Sequence, residues 1–211
     1  MYKTIANASI ATDHGIIYDG KIIIKGIYME GLYTNPSYGA NSHKNPWRHG
    51  IVDEEYKALV DACETDVKVW TTAPELNGIE GFYAYARKVN PDVVIAFGHS
   101  EAIPQRIAAL GKYHPTLLTH TMDATGRLPV PSGTRGYGPD EYCFSQPDMY
   151  AELFSDSYGL HVNAALQQML LRIKGFDKVV LITDSTKTDA PSPEHLRHIT
   201  DMFEAPDAPI S

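Results

Sequence analysis

Cysteine is scarce, cationic charge is in deficit and long apolar runs are missing, and each shortage removes a class of answers. The two cysteines, Cys63 and Cys143, lie far apart without C-x-x-C spacing, which argues against a disulfide framework or a zinc ribbon. Eighteen Lys and Arg against 26 Asp and Glu give a net charge of −8 without a basic stripe, so the chain lacks an electrostatic footprint for nucleic acid. No window approaches the ~18 consecutive apolar residues of a membrane span, and the opening MYKTIANASIATDHG lacks the basic and apolar regions of a signal peptide. The expectation is a protein of the reducing cytoplasm, with neither membrane nor nucleic acid as partner. Low-complexity tracts, fixed-period repeats and internal linkers are also missing, so 1–211 reads as one domain or part of a larger one. With 43% hydrophobic and 21% charged residues, the composition is that of an ordinary globular chain.

What is present is an alternation. Short β-branched or aromatic runs occur at KIIIKGIYM (21–29), VKVWTTA (67–73), DVVIAFG (92–98), PTLLTH (115–120), the weaker YAELFS (150–155) and KVVLIT (178–183). Most are nearly continuously apolar, as strands covered on both faces must be. Between them lie amphipathic segments: VDEEYKALVDACE, ELNGIEGFYAYARKV, EAIPQRIAALGKY and VNAALQQMLLRIKG. The last carries Leu166, Met169, Leu170 and Ile173 at helical spacing and Gly175 as its stop. The residues to about Lys21 are expected to form a weakly marked helix, and PEHLRHITDMF a short one from Pro193. Two long segments, 30–50 and 121–148, are rich in Gly, Pro, Asn and Ser, and loops of that length are uncommon unless functional. The pattern predicts consecutive parallel strands joined by helices.

Chemistry enters at the strand ends. Five of the six runs finish on, or within two residues of, Glu30, Glu75, His99, His120 or Asp184, and the weaker run is followed by His161. In a parallel β/α sheet the C-terminal ends of all strands open on one face, so these groups should converge. Two imidazoles and a carboxylate suffice as protein ligands for a catalytic zinc with an open fourth position, and His99, His120 and Glu30 fit that set. A separate carboxylate must take and return the proton, and Asp184 is placed to do so. Glu75 reads as a supporting group rather than a direct ligand. His195 and His198 share a helical face in a Pro-rich terminal stretch and read as solvated surface. GTRGYG (133–138) lacks the strand and the Lys-Ser/Thr of a phosphate loop, although Arg135 is a second candidate for phosphate or for a neighbouring subunit's site.

The strings YMEGLYTNP, APE (73–75), GHSEA (98–102), THTMDA (119–124), YGLHVN (158–163) and LITDST (181–186) together resemble the N-acetylglucosamine-6-phosphate deacetylase family of metal-dependent amidohydrolases. The resemblance runs from about residue 22 to 186, and the order and spacing of six motifs make it specific. It implies an α/β fold of (β/α)8 TIM-barrel type. It implies one divalent metal on Glu30, His99 and His120, zinc first with iron or cobalt admitted, and Asp184 as catalytic acid/base. It implies sugar contacts from His161, Asp123 and Ala124, with Tyr158, Gly159 and Leu160 beside them, and a phosphate contact from Arg127. The substrate it implies is an amino sugar phosphate that loses its acetyl group.

Departures from the family pattern fall at the sugar end. Leu32 replaces a proline, Asp123 an asparagine and Tyr158 an aspartate, and the histidine of the loop after EGL has become Asn41 or shifted to His43. An acid at 123 disfavours a nearby phosphate by like-charge repulsion. The resemblance begins at the third barrel strand and stops just past the eighth, so the expected fold is an incomplete barrel of about six βα units. Such a barrel leaves two strand edges, at 21–29 and 178–183, and the expectation is a homo-oligomer that hides them. A non-catalytic barrel remnant and an amidohydrolase acting on a cyclic amide are the alternatives.

Overall fold

The computed structural model describes residues 17–18, 21–22, 26–30, 32–39, 50–126, 136–155, 159, 161–182 and 184. A short antiparallel pair, β1 (Ile17–Tyr18) and β2 (Lys21–Ile22), comes first. Six parallel strands follow: β3 (Ile27–Met29), β4 (Val67–Thr72), β5 (Val94–Phe97), β6 (Pro115–Leu118), β7 (Tyr150–Phe154) and β8 (Val179–Ile182). They pair strictly in chain order, β3 to β8. The helices are α1 (Asp53–Cys63), α2 (Ile79–Val89), α3 (Pro104–Ala109), α4 (Pro139–Ser145) and α5 (Ala164–Lys174). No helix among the described residues is long and apolar enough to cross a membrane.

The sheet is curled. In a flat sheet β3 and β6 would stand about 14 Å apart, three strand spacings. Yet the Tyr28 hydroxyl on β3 lies 2.8 Å from Thr119 Oγ1, directly after β6. Side chains therefore meet across a concave interior, as in a (β/α)8 barrel that has six of its strands. Apolar helix faces cover the convex side in two clusters. Trp70, Phe82, Tyr56 and Tyr33 pack edge to face under α1 and α2, and Leu32 is fully buried among them, so leucine at that position is taken up by packing. Phe97, Ile107, Leu118, Ala151, Leu153 and Leu170 form the second cluster.

Three sequence expectations change. The run 21–29 is not one strand: among its described residues only Ile27–Met29 joins the main sheet, while Lys21–Ile22 pairs with Ile17–Tyr18, where a helix was expected. Gly26 marks the break, because a Cβ there would meet the Asp66 carbonyl oxygen at 2.7 Å. Within the segment read as a long loop, α4 forms behind Pro139 with Asp140 and Glu141 in its first turn, and the Gly138 N–H donates to Glu141 Oε2 at 2.9 Å. On α5, Leu170 is buried but Ile173 is exposed. Its ends follow the sequence: Asn163 accepts from the Leu166 N–H at 3.1 Å, and Gly175 closes it at φ 70°. The helix proposed from Pro193, like His195, His198 and Arg135, lies outside the described residues.

Candidate metal centre

Parallel pairing brings the C-terminal ends of the strands to one rim, where Glu30, His99 and His120 follow β3, β5 and β6. Glu30 Oε1 lies 2.6 Å from His99 Nε2 and 3.1 Å from His120 Nε2, and the two Nε2 atoms are 2.9 Å apart. The rings stand at right angles with centroids 4.6 Å apart. His120 is buried, whereas Glu30 and His99 keep some access to solvent.

The donor set can be read from the far side of each ring. His99 Nδ1 is 3.3 Å from the Tyr38 carbonyl oxygen and His120 Nδ1 is 3.0 Å from that of Asp123. A carbonyl only accepts, so both Nδ1 atoms carry the proton and both Nε2 atoms present lone pairs. Two lone pairs and a carboxylate oxygen thus converge on one point, an arrangement that calls for a cation there. Without one, protons take its part. Burial alone would lower His120, but the hydrogen bond and charge of Glu30 carry it up to about 9. Burial alone would raise Glu30, but His120 and His99 hold it down to about 2. The residues fit a divalent ion by donor chemistry and by convergence.

The backbone is held in an uncommon conformation to achieve this. His99 and His120 have φ of 46° and 29°, and Asp184, following β8, has 46°. Left-handed non-glycine residues cost about 1–3 kcal/mol each and persist where their surroundings fix them. Here the Asn35 N–H donates to the His99 carbonyl at 2.9 Å, and the His120 N–H donates to Glu152 Oε2 at 3.2 Å. Glycines make room: a Cβ on Gly98 would meet Thr119 Cβ at 2.8 Å, and one on Gly39, itself at φ 91°, would overlap the His99 imidazole.

Asp184 lies near enough to Glu30, both histidines and Asp123 to feel their charge. Burial raises its proton affinity, Glu30 adds to that, and the histidines oppose it. A carboxylate so placed holds a proton more readily than an exposed one.

Glu75 does not reach the three ligand atoms. Its Oε1 accepts from Asn35 Nδ2 and the Glu101 N–H, both at 2.9 Å, and its Oε2 accepts from the Ser100 hydroxyl at 2.7 Å. It binds the loop after β3 to the loop carrying His99. Arg106 fixes Glu75 from behind by donating to the carbonyls on either side of it, Pro74 at 2.8 Å and Leu76 at 3.4 Å. Tyr38 adds a second clasp, its hydroxyl donating to Glu101 Oε2 at 2.8 Å. Burial and that carboxylate push the phenol up to about 12, which keeps it a donor.

Of the residues assigned to the sugar, Asp123 and Ala124 sit in the turn after His120. Asp140 secures this turn by accepting from the Met122 N–H at 2.8 Å and the Thr125 hydroxyl at 2.6 Å. Gly159 has φ 62°, and His161 packs against Phe154 with ring centroids 4.2 Å apart. Asn41, His43, Arg127, Tyr158 and Leu160 lie outside the described residues. Sequence reading missed Asp140, whose signal was an acid after Pro139 at a helix start. It also missed Glu152, whose signal was a carboxylate in mid-strand.

No protein-family model matches the chain. It is 24% identical over 162 residues to the N-acetylglucosamine-6-phosphate deacetylase of Bacillus subtilis, covering 77% of this chain and 39% of that protein. Among solved structures, N-acetyl-D-glucosamine-6-phosphate deacetylase from Mycobacterium smegmatis matches 90% of this chain and 46% of its own, with TM-score 0.71 and 23% identity. A mutant of that enzyme in complex with N-acetyl-D-glucosamine-6-phosphate matches 88% of this chain and 44% of its own, with TM-score 0.66 and 24% identity. The chain thus has the fold of part of these enzymes and spans less than half their length.

Proposed function

We propose that this chain carries a metal-dependent deacetylase centre that removes the acetyl group from an N-acetylated amino sugar phosphate in the cytoplasm. The observation that carries the reading is the convergence of Glu30 Oε1, His99 Nε2 and His120 Nε2, three acceptors within 3.1 Å of one another. The substrate class comes from the likeness to deacetylases, one of them in complex with N-acetyl-D-glucosamine-6-phosphate.

Glu30, His99 and His120 would hold one divalent ion, zinc suiting the mixed nitrogen and oxygen set and iron or cobalt also admitted. Such an ion lowers the pKa of water and polarises an amide carbonyl. Asp184 takes the proton from the attacking water and returns it to the departing amine, so one carboxylate serves both steps. His161, Asp123 and Ala124 position the sugar, with Tyr158, Gly159, Leu160 and Asn41 or His43 completing its surroundings. Arg127 meets the phosphate, where a planar guanidinium gives a bidentate contact that lysine cannot reproduce.

The test is acetate release from N-acetylglucosamine 6-phosphate by the zinc-loaded chain. Turnover that stops on chelation and returns with zinc is expected. A metal-loaded chain that deacetylates no N-acetylated sugar phosphate would leave a non-catalytic barrel remnant as the correct description.

The same reading includes a homo-oligomer. Among the described residues no strand pairs with the outer edge of β3 or of β8, and Leu181 on β8 and Phe176 in the turn before it are 73% and 82% exposed. Open parallel edges with apolar side chains favour association. Light scattering is expected to give a mass above that of one chain, and a monomer at high concentration would contradict this.

A further inference from the structure

Beneath the rim lies a buried carboxylate that the proposed reaction does not use. Glu152, in the middle of β7, is 2% exposed and has no lysine or arginine ion-pair partner among the described residues. An isolated buried charge is costly, so its hydrogen bonds must be accounted for. Its Oε2 accepts the His120 N–H at 3.2 Å, and its own carbonyl accepts the next N–H, that of Thr121, at 2.9 Å. One residue therefore grips two consecutive amides of the turn that swings the His120 ring to the rim. That turn has the smallest positive φ among the non-glycine residues described, 29°.

The residue before His120 is tethered as well. The Tyr28 hydroxyl oxygen lies 2.8 Å from both Thr71 Oγ1 and Thr119 Oγ1, which are 2.7 Å from each other. Tyr28 stands two residues before Glu30, and the two share the inward face of β3 because side chains alternate along a strand. The floor thus joins the strand that presents Glu30 to the turn that presents His120.

We infer that Glu152 is a positioning residue for the metal centre: as the acceptor of the His120 N–H, it fixes the left-handed turn that aims His120 at Glu30 and His99. The inference rests on the reading of those three residues as metal ligands. It separates an acceptor role from a charge role, since glutamine keeps an acceptor oxygen and leucine keeps only the volume.

The test is zinc affinity by competition with a chromogenic chelator, together with the imidazole and backbone ¹⁵N resonances of His120 in the metal-free chain. Glu152→Leu is expected to weaken zinc by about 10- to 100-fold, the usual loss for a group supporting a ligand, and Glu152→Gln by no more than about threefold. In the metal-free Leu variant the His120 resonances move while those of His114, far from the site, do not. A Leu variant that binds zinc as tightly as the parent overturns the inference, and so does a Gln variant as impaired as Leu. Should the Leu variant fail to fold, Glu152→Met, which keeps an unbranched chain of similar length without an acceptor oxygen, is expected to weaken zinc at least about threefold, and unchanged affinity overturns the inference. Should the parent bind no zinc, the metal reading fails by itself. The metal-free resonances then decide the inference, and a His120 signature identical in parent and Leu variant overturns it.

Discussion

Asp184→Asn is expected to lower deacetylation turnover by at least ~100-fold while leaving zinc content unchanged, the lower end for loss of a proton-transferring group. Asparagine matches aspartate in shape, so the left-handed turn after β8, at φ 46°, survives the change. What disappears, under the proposed function, is the capacity to take a proton from water and hand it to the amine. Burial and the neighbouring Glu30 charge favour the protonated acid in the second step, while His99 and His120 favour the carboxylate in the first. Steady-state kinetics with elemental analysis of the same preparation checks this. Normal turnover in the Asn variant would mean that another group carries the proton.

His99→Ala is expected to abolish stoichiometric zinc. Its Nε2 is one of three converging ligand atoms, and removing it leaves Glu30 and His120 with two, fewer than a catalytic site uses. The effect should also appear as stability. Zinc at 100 times its dissociation constant stabilises a native state by about 2.7 kcal/mol, because it binds the folded chain alone. For a chain of this size that corresponds to a rise in Tm of roughly 5–10 °C. The parent is expected to show the rise on adding zinc and the Ala variant to lose it, as read by calorimetry. An equal rise in both would place the metal elsewhere.

The strand order and the rim were legible because both follow from local pattern. Apolar runs of strand length separated by amphipathic segments admit few topologies, and parallel order then sends every C-terminal end to the same side. Glu30, His99 and His120 meet for that reason, although they are remote in sequence. Hydropathy could not show the break at Gly26, since isoleucines stand on both sides of it and the interruption comes from a close approach to Asp66. The helix α4 was hidden by its length, seven residues inside a Gly- and Pro-rich segment. Glu152 was passed over for a different reason. Strand ends present the candidate ligands, but the groups that hold them in place lie one layer down, where a single charged residue in an apolar run looks like noise.

A cation at the meeting point of Glu30, His99 and His120 is the central expectation. Equilibrium dialysis of the chelator-stripped chain against zinc, followed by elemental analysis, addresses this directly. One zinc per chain is the predicted result, falling to none in a chain with Glu30, His99 and His120 all replaced by alanine. A parent chain that retains no zinc at saturating concentration, or a triple variant that retains as much as the parent, would contradict it.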